Sequence, residues 1–274
     1  MPELPEVETI KESLRKAVEG AKIESVLVNN RCLRISIPHD FEKIVTGHQI
    51  KKLYRIAKYA IMDLDNAYSI VWHFGMSGKI KLLSTKNPIL EKHDHIVIKT
   101  SADTIVYNDP RRFGLITVLP TDKLKEDALF CHLGPDPFDA NLNENYLLRK
   151  FQNKKTAIKI ALLDQNIVAG IGNIYASEAL YESGISPLRC CSSLNKNELK
   201  KLISAIRITL SKAIDAGGST LHDYRKPDGS TGYFQLQHSV YGKDGQCCPK
   251  CKKNCIIKIT QGGRSTYYCP HTQK

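Results

Sequence analysis

The residues best suited to covalent chemistry stand at the start of the chain, which begins MPELPEVETI. Removal of Met1 would leave Pro2 with a secondary amine, which is a nucleophile whenever it is unprotonated. An α-amino group titrates at roughly 8, so a useful fraction is free at neutral pH. Glu3 and Glu6 follow within one helical turn and could move protons beside that amine. The alternative is a proline that only starts a helix, with two carboxylates that stabilise the helix dipole.

A second chemical feature is the crowding of cysteines near the other end of the chain. Five of the nine cysteines fall in the last part of the sequence, and two of them form a CxxC pair. The chain shows no secretory signal, so this pattern predicts metal binding before disulfide formation. The five are Cys247, Cys248, Cys251, Cys255 and Cys269.

The spacing of these cysteines resembles a zinc β-hairpin finger. Cys248 and Cys251 would form one metal knuckle, and Cys269 would open a second knuckle after β-like pieces over 256–260 and 266–268. A regular second knuckle would place its other cysteine at position 272, which is Thr272. The second knuckle is therefore incomplete.

The fourth zinc ligand has three candidates, namely His271, Cys255 and Cys247. His271 is preferred because it lies close to Cys269 in sequence and because imidazole is an ordinary zinc ligand. We predict one structural zinc ion, and a cysteine-rich tail without metal is the alternative. The predicted ligands are Cys248, Cys251, Cys269 and His271.

The composition favours a polyanionic partner. Lysine and arginine total 40 against 28 acidic residues, which gives a net charge of +12. Such an excess favours binding to nucleic acid, where basic side chains neutralise phosphates and release counterions. No apolar run approaches the roughly 18 residues of a membrane span. We expect a monomeric cytoplasmic protein without a membrane segment. The alternative to a nucleic-acid partner is a ribosome-associated or merely soluble basic protein.

The elements that must position these residues change in character along the chain. Residues 2–18 place Val7, Ile10, Leu14 and Val18 at helical spacing. Short β-rich pieces separated by turn residues then predict a sandwich or barrel. These pieces cover 23–28, 33–37, 59–64, 69–73, 79–83, 95–99, 104–108 and 114–118.

Beyond Pro135 the pattern becomes helical, with candidate helices over 143–152, 156–164, 173–183 and 195–215. The predicted fold class is α+β. The predicted domains are a helix plus β-sandwich over 1–119, a linker over 120–138, a helical domain over 139–238 and a finger over 239–274.

Several motifs, in order along the whole chain, resemble the formamidopyrimidine-DNA glycosylase family. They are residues 1–9 (MPELPEVET), 58–59 (KY), 73–78 (HFGMSG), 108–114 (NDPRRFG), 170–178 (GIGNIYASE) and 262–266 (GGRST). The resemblance implies a β-sandwich domain, a helix–two-turns–helix DNA-binding domain and a zinc finger. It also implies a bifunctional DNA glycosylase of base excision repair, acting on double-stranded DNA that contains oxidised purines such as 8-oxoguanine and formamidopyrimidines.

The resemblance also implies a mechanism for the amine and the carboxylates. Pro2 would attack the sugar C1′ and form an iminium, which drives β,δ-elimination of the flanking phosphates. Glu3 would manage the protons and Glu6 would assist. Lys58 would contact the phosphate beside the lesion.

Other positions of the family motifs imply contacts with kinked DNA. His73, Asn173 and Arg264 match phosphate contacts, and Lys159 would add positive charge nearby. The residues Met76, Arg111 and Phe113 match the wedge that fills the gap left by a flipped nucleotide. Without the resemblance, Lys58 would be a solvated surface lysine and Asn173 would belong to an ordinary turn between helices. Met76 and Phe113 would be ordinary core residues of the β-domain.

Residues 217–234 resemble a mobile lid over the flipped base, although an ordinary solvated loop would share their composition. Two other functions remain as alternatives. One is endonuclease VIII, which shares fold and nucleophile but prefers oxidised pyrimidines. Leu4, Val7 and the complete wedge favour the purine-specific enzyme. The other is a damage-binding or zinc-finger protein without catalysis, which a retained Met1 would favour.

Overall fold

The chain forms two compact units in a computed structural model, which describes residues 2–85, 87–219, 227 and 232–274. The first unit comprises Met1–Cys131 and Ala216–Gln235, and the second comprises His132–Asp215 and Leu236–Lys274. Residues 216–235, which the sequence division assigned to the helical domain, thus cluster with the first unit. Among the described residues, no helix has the length and apolarity needed to cross a membrane.

The first unit opens with helix α1 (Leu4–Val18), whose apolar side chains recur at helical spacing. Val7, Ile10 and Leu14 are completely buried, because this stripe faces the core of the unit. The acidic start and the basic last turn of α1 both suit the helix dipole. The helix thereby fixes the position of Pro2 and Glu3, which precede it.

Two antiparallel four-stranded sheets follow the helix. Their orders are β1-β6-β7-β5 and β2-β3-β4-β8, and one core cluster takes side chains from both sheets and from α1. The elements are β1 (Ile23–Val28), α2 (Phe41–Val45), β2 (Ile50–Ile56), β3 (Tyr59–Leu64), β4 (Tyr68–His73), β5 (Lys79–Leu83), β6 (Asp94–Thr100), β7 (Thr104–Asn108) and β8 (Leu115–Pro120).

Two details of the sheets differ from the prediction. Residues 33–37, predicted as a strand, contain no strand, because the N–H groups of Leu33 and Ile37 both turn back to the carbonyl of Arg31. Strand β2 escaped prediction because its two lysines interrupt the apolar alternation, although Ile50 and Leu53 are buried. The local sequence pattern thus predicted one strand that does not form and missed one strand that does.

The second unit is helical and ends in a β-hairpin. Its elements are α3 (Glu144–Phe151), α4 (Ile158–Leu162), α5 (Asn173–Ser183), α6 (Lys196–Asp215), β9 (Ile257–Gln261) and β10 (Arg264–Tyr268). Gly172 caps the start of α5 in an extended conformation, and Gly184 ends it with φ of 75°. The α+β fold class, with two antiparallel sheets followed by a helical region and a C-terminal hairpin, is confirmed.

Candidate functional site

The residues at the start of α1 are buried and held in place by a capping box. Pro2 is buried, and Glu3 and Glu6 are only 3% and 2% exposed. Glu6 Oε2 accepts the Glu3 N–H at 2.8 Å, and the Glu3 side chain reciprocally caps the N–H of Glu6. The arrangement fixes two carboxylates beside the residue that would carry the free amine.

Glu6 has a second partner, far away in sequence. Its Oε1 accepts the N–H of Ser219 at 2.8 Å. Gly218, with φ of 80°, passes so close that a Cβ there would lie 3.0 Å from Glu6 Cγ. The segment therefore needs glycine where it crosses the start of α1. Of the predicted lid over 217–234, residues 220–226 and 228–231 lie outside the described part of the chain.

Lys58 lies in the turn before β3, and His73 ends the neighbouring strand β4. Lys58 is 7% exposed and follows Ala57, which turns the chain between β2 and β3 with φ of 53°. His73 ends β4 opposite Tyr59, and the two rings are 4.9 Å apart. Strand pairing thus aligns the residue after Lys58 with His73.

His73 is neutral and has a defined tautomer. Burial, followed by the positive charges of Arg34 and Lys58, lowers the pKa of His73 to about 3. Its Nδ1 accepts the Gly75 N–H at 3.1 Å. A neutral ring that accepts at Nδ1 carries its proton on Nε2, so that nitrogen can donate a hydrogen bond to an anionic oxygen.

The predicted wedge residues lie on two loops and are exposed. Met76 is 39% exposed and Phe113 is 46% exposed, so neither side chain is packed in the core of the unit. The guanidinium of Arg111 lies over the Phe113 ring at 4.8 Å. The alternative reading of Met76 and Phe113 as sheet core does not fit these exposures.

A buried carboxylate ties the two wedge loops together. Asp109 is fully buried and accepts from Ser77 Oγ at 2.5 Å and from the Gly114 N–H at 2.8 Å. Ser77 Oγ in turn accepts the Arg111 N–H at 3.1 Å. The loop that carries Met76 and the loop that carries Phe113 therefore share one rigid frame.

In the second unit, side-chain hydrogen bonds build the turn before α5. Gln165 Oε1 accepts the Gly170 N–H at 2.8 Å, and Gln165 Nε2 donates to the Ile171 carbonyl at 2.9 Å. Gly170 has φ of 88°, a conformation that favours glycine. The turn presents Asn173 at the positive end of an eleven-residue helix, where anions bind readily.

The hairpin comes close to this helix start. Asn173 Nδ2 donates to the Ser265 carbonyl at 2.9 Å, next to exposed Arg264 at the start of β10. A Cβ on Gly262 would lie 3.0 Å from Ile160 Cδ1 of α4. Asn173 and Arg264 are therefore brought together. Lys159, also on α4, is fully buried and has no exposed surface for a direct contact.

Three sulfur atoms form a candidate metal centre. The Sγ atoms of Cys248, Cys251 and Cys269 all lie within 4.8 Å of one another, and Cys251 Sγ is 3.7 Å from Cys269 Sγ. Backbone N–H groups point at each sulfur from two and three residues farther along the chain, as in metal knuckles. Thiolates with amide donors are the chemistry that zinc requires, so these residues fit the ion.

Of the two residues that follow Pro270, Thr272 lies beside the cysteine cluster and His271 does not. Burial would raise the pKa of Cys248, but hydrogen bonds from Cys251, Thr272 and Tyr181 outweigh it and lower that pKa to about 6. Thr272 Oγ1 lies 3.3 Å from Cys248 Sγ. His271 is exposed and is not part of the three-sulfur group, because its backbone N–H rather than its ring faces the Cys269 sulfur.

Some residues with roles at these sites carry no sequence signal of their own. Asp109, Gln165 and Tyr181 organise the wedge loops, the α5 turn and the cysteine cluster respectively, and Tyr181 Oη lies 3.3 Å from Cys248 Sγ. Only the position of Thr272, three residues after Cys269, could have indicated a place at the metal centre.

Two models of known protein families match this chain, one in its N-terminal part and one in its helical part. The model described as the N-terminal domain of formamidopyrimidine-DNA glycosylase matches residues 1–116. The model described as the helix–two-turns–helix domain of the same enzyme matches residues 133–225. A curated relative, the formamidopyrimidine-DNA glycosylase of Wolbachia pipientis wMel, is 44% identical over 270 residues, covering 98% of each chain.

Solved structures of the Lactococcus lactis enzyme resemble the whole chain. One is a complex with DNA containing an abasic site, with a TM-score of 0.91 and 34% identity. Another is a complex of a mutant enzyme with DNA containing Fapy-dG, with a TM-score of 0.92 and 34% identity. Both cover 100% of this chain and 100% of their own chain.

Proposed function

This chain belongs to the formamidopyrimidine-DNA glycosylase family of base excision repair, and we propose that it removes oxidised purines through a Schiff base on Pro2 and cleaves the strand by β,δ-elimination. The family's enzymes combine glycosylase with lyase activity at abasic sites. The observation that carries the proposal is the buried Pro2 beside Glu3, whose backbone and side chain Glu6 holds in a capping box. The substrates are 8-oxoguanine and formamidopyrimidines in double-stranded DNA.

Once Met1 is removed, the lone pair of the Pro2 nitrogen forms a bond to the sugar C1′. The glycosidic bond breaks, its electron pair leaves with the base, and the base takes up a proton. Loss of the amine proton and opening of the sugar ring then leave a cationic iminium. Because proline is a secondary amine, this iminium cannot lose its charge by deprotonation at nitrogen.

Glu3 moves the protons of this sequence. As the acid it protonates the sugar ring oxygen or the leaving base, and as the base it accepts protons during elimination. The iminium accepts the electrons released at C2′, so the C3′–O bond breaks first and the C5′–O bond breaks in a second elimination. Glu6 keeps Glu3 in position through its hydrogen bond to the Glu3 N–H.

Each of the two units contributes side chains that bind DNA phosphates. In the first unit, the Nε2–H of neutral His73 and the ammonium of Lys58 bind phosphates near the lesion. In the second unit, Asn173 at the start of α5 and Arg264 on the hairpin bind phosphates together. Buried Lys159 adds positive potential without touching the DNA.

The exposed wedge replaces the flipped nucleotide. Phe113 stacks on a neighbouring base pair, Met76 fills the vacated space and Arg111 reads the opposite base. The frame around Asp109 supplies rigidity, since a wedge that yields would not keep the duplex open. The stacking of Phe113 recovers part of the free energy that is lost when the flipped nucleotide leaves its neighbours.

One structural zinc ion, held by Cys248, Cys251 and Cys269, would fold the finger around Arg264. We assign the catalytic helix and sandwich to residues 1–119, a linker to 120–138, the helical DNA-binding domain to 139–238 and the finger to 239–274. Within the third of these ranges, residues 216–235 cluster with the first unit. The protein is expected to act as a monomer on nucleoid DNA in the cytoplasm.

The decisive experiment is covalent trapping. Purified protein is incubated with an 8-oxoguanine:cytosine duplex and sodium borohydride, which reduces the iminium to a stable amine, and is then resolved on a denaturing gel. We expect an adduct with the lesion duplex and none with an undamaged duplex of the same sequence. Tight binding without an adduct, from protein shown by mass spectrometry to lack Met1, would identify a non-catalytic damage-binding protein instead.

A further inference from the structure

We propose that the fourth ligand of the zinc ion is an oxygen, either Thr272 Oγ1 itself or a water molecule that it holds. This inference rests on the zinc site proposed above and is independent of the base-excision chemistry. In this proposal the fourth ligand is neither a cysteine sulfur nor a histidine nitrogen. Thr272 follows Cys269 by three residues, as Cys251 follows Cys248.

One hydroxyl lies beside the group of three sulfur atoms. Thr272 Oγ1 is 3.3 Å from Cys248 Sγ, and that sulfur lies within 4.8 Å of the other two. The backbone N–H of Thr272 points at the Cys269 sulfur, as the N–H of Cys251 points at the Cys248 sulfur. An oxygen in this position would supply the fourth corner of a tetrahedral ion.

The other candidates for this corner point elsewhere. His271 is exposed, and its backbone N–H, rather than its ring, donates a hydrogen bond to the Cys269 sulfur. Cys247 and Cys255 are exposed and face each other across an antiparallel bridge, outside the three-sulfur group. Within the described residues, no further histidine, cysteine or carboxylate joins the cluster.

An oxygen ligand changes the character of the site. Three thiolates leave a zinc centre with one negative charge, whereas four leave two, and a neutral oxygen binds zinc less firmly than a thiolate. The fourth position would then exchange with solvent, as in zinc sites that keep one open corner. Zinc should consequently leave this finger faster than it leaves a four-cysteine finger.

The test measures zinc release from the full-length, zinc-loaded protein into a colorimetric chelator. We expect Thr272→Cys to slow release about tenfold or more, and Thr272→Val, which keeps the shape but removes the oxygen, to accelerate it. His271→Ala should leave the rate unchanged. X-ray absorption should show three sulfurs and one oxygen in the unmodified protein and four sulfurs in Thr272→Cys.

Acceleration by His271→Ala equal to that by Thr272→Val, or a nitrogen in the zinc shell, would overturn the assignment. The two proposals fail separately. A chain that binds no zinc but is trapped on the lesion duplex would refute the zinc site alone. A zinc-loaded chain that gives no adduct would refute the catalytic proposal alone.

A different feature of the finger supports a second inference. Cys247 and Cys255 are antiparallel partners, flanked by hydrogen bonds from Cys248 to Asn254 at 2.9 Å and from Ile256 to Gln246 at 2.8 Å. This pattern defines a non-hydrogen-bonded pair, in which Cα atoms are about 4.5 Å apart and side chains are closest. That spacing lies within the range of roughly 4.4–6.8 Å that a disulfide accepts.

We propose that these two exposed cysteines form a reversible disulfide by exchange with a small disulfide such as oxidised glutathione. One thiolate attacks a glutathione sulfur and expels one glutathione thiolate, leaving a mixed disulfide. The second thiolate attacks the protein sulfur of that bond and expels the other glutathione. The protein dithiol is oxidised and one glutathione disulfide is reduced to two thiols. The new bond closes the turn that holds Cys248 and Cys251.

Zinc-loaded full-length protein is equilibrated in glutathione buffers of graded potential, alkylated, digested and analysed by mass spectrometry. We expect a linked pair of peptides joining Cys247 to Cys255, absent from Cys255→Ser and retained in Cys190→Ser, which alters another exposed cysteine. Mixed glutathione disulfides without the internal link, or equal linkage through Cys248, would overturn the proposal.

Discussion

Glu6 and Ser219 are joined by a hydrogen bond of 2.8 Å across 213 positions of sequence. The same carboxylate accepts the Glu3 N–H through its other oxygen, so one buried side chain fixes both the start of α1 and the segment at 217–219. The catalytic carboxylate proposed at Glu3 is thus held by the residue that also receives the segment predicted to become the lid.

Glu6→Gln should weaken both connections. An amide offers one acceptor oxygen, and its NH₂ group would face a backbone N–H. We expect the free energy of unfolding to fall by about 1–3 kcal/mol in urea denaturation, because a buried donor loses its acceptor. Glu12→Gln, which breaks an exposed pair with Arg15 on the same helix, is the control and should change little. Equal effects of the two substitutions would contradict the role of Glu6.

Pro2→Gly should slow base release and strand cleavage without unfolding the protein. Glycine supplies a primary amine, whose imine can lose its proton and is then a poor electron sink. Borohydride trapping on the 8-oxoguanine duplex should give much less adduct, while the thermal midpoint stays close to that of the unmodified protein. Normal turnover by this variant would count heavily against the Schiff base.

Glu3→Gln should largely abolish base excision, because the amide can neither donate nor accept a proton at the required step. The measurement is single-turnover release of 8-oxoguanine, with binding to the lesion duplex followed in parallel. We expect binding to persist. Excision at the unmodified rate would remove Glu3 from the mechanism.

Phe113→Ala should impair excision from duplex DNA while leaving stability almost unchanged. The ring is 46% exposed, so its removal from the folded protein costs little. Its proposed task arises only when a nucleotide leaves the stack. Excision from a mismatched lesion, which flips more easily, should recover part of the loss. An equal defect on paired and mismatched lesions would argue against a wedge.

His73 should make the protein less stable as the pH falls. Its pKa is lowered to about 3 in the folded state, first by burial and then by Arg34 and Lys58. The unfolded chain, with a pKa near 6.5, binds the proton more readily. The contribution is therefore complete above about pH 6.5 and is lost between that pH and about 3, by up to roughly 1.4 kcal/mol for each pH unit.

Urea denaturation of His73→Gln between pH 7 and 5 should show a smaller loss of stability than the unmodified protein. His39→Gln, at an exposed histidine, is the matched control and should retain the full pH dependence. An identical pH dependence for all three proteins would mean that His73 titrates normally.

Most elements were predictable because their signals are local. Helix α5 covers 173–183 as predicted, since Gly172 and Gly184 mark its two ends in sequence. Strand β2 was missed and a strand at 33–37 was wrongly expected, because edge lysines and backbone turns override apolar alternation. Those outcomes depend on neighbours that the local pattern does not contain.

The sequence by itself determined the family, the order of the elements, the proline that can become a nucleophile and the cysteine spacing of the finger. These properties follow from residue type and from distances of a few positions along the chain. Only the tertiary structure decided that Glu6 receives Ser219, that Asp109 joins the loops of Met76 and Phe113, and that the Thr272 hydroxyl rather than the His271 ring lies beside the cysteine cluster. Each of these joins residues through packing and backbone direction, which spacing alone does not specify.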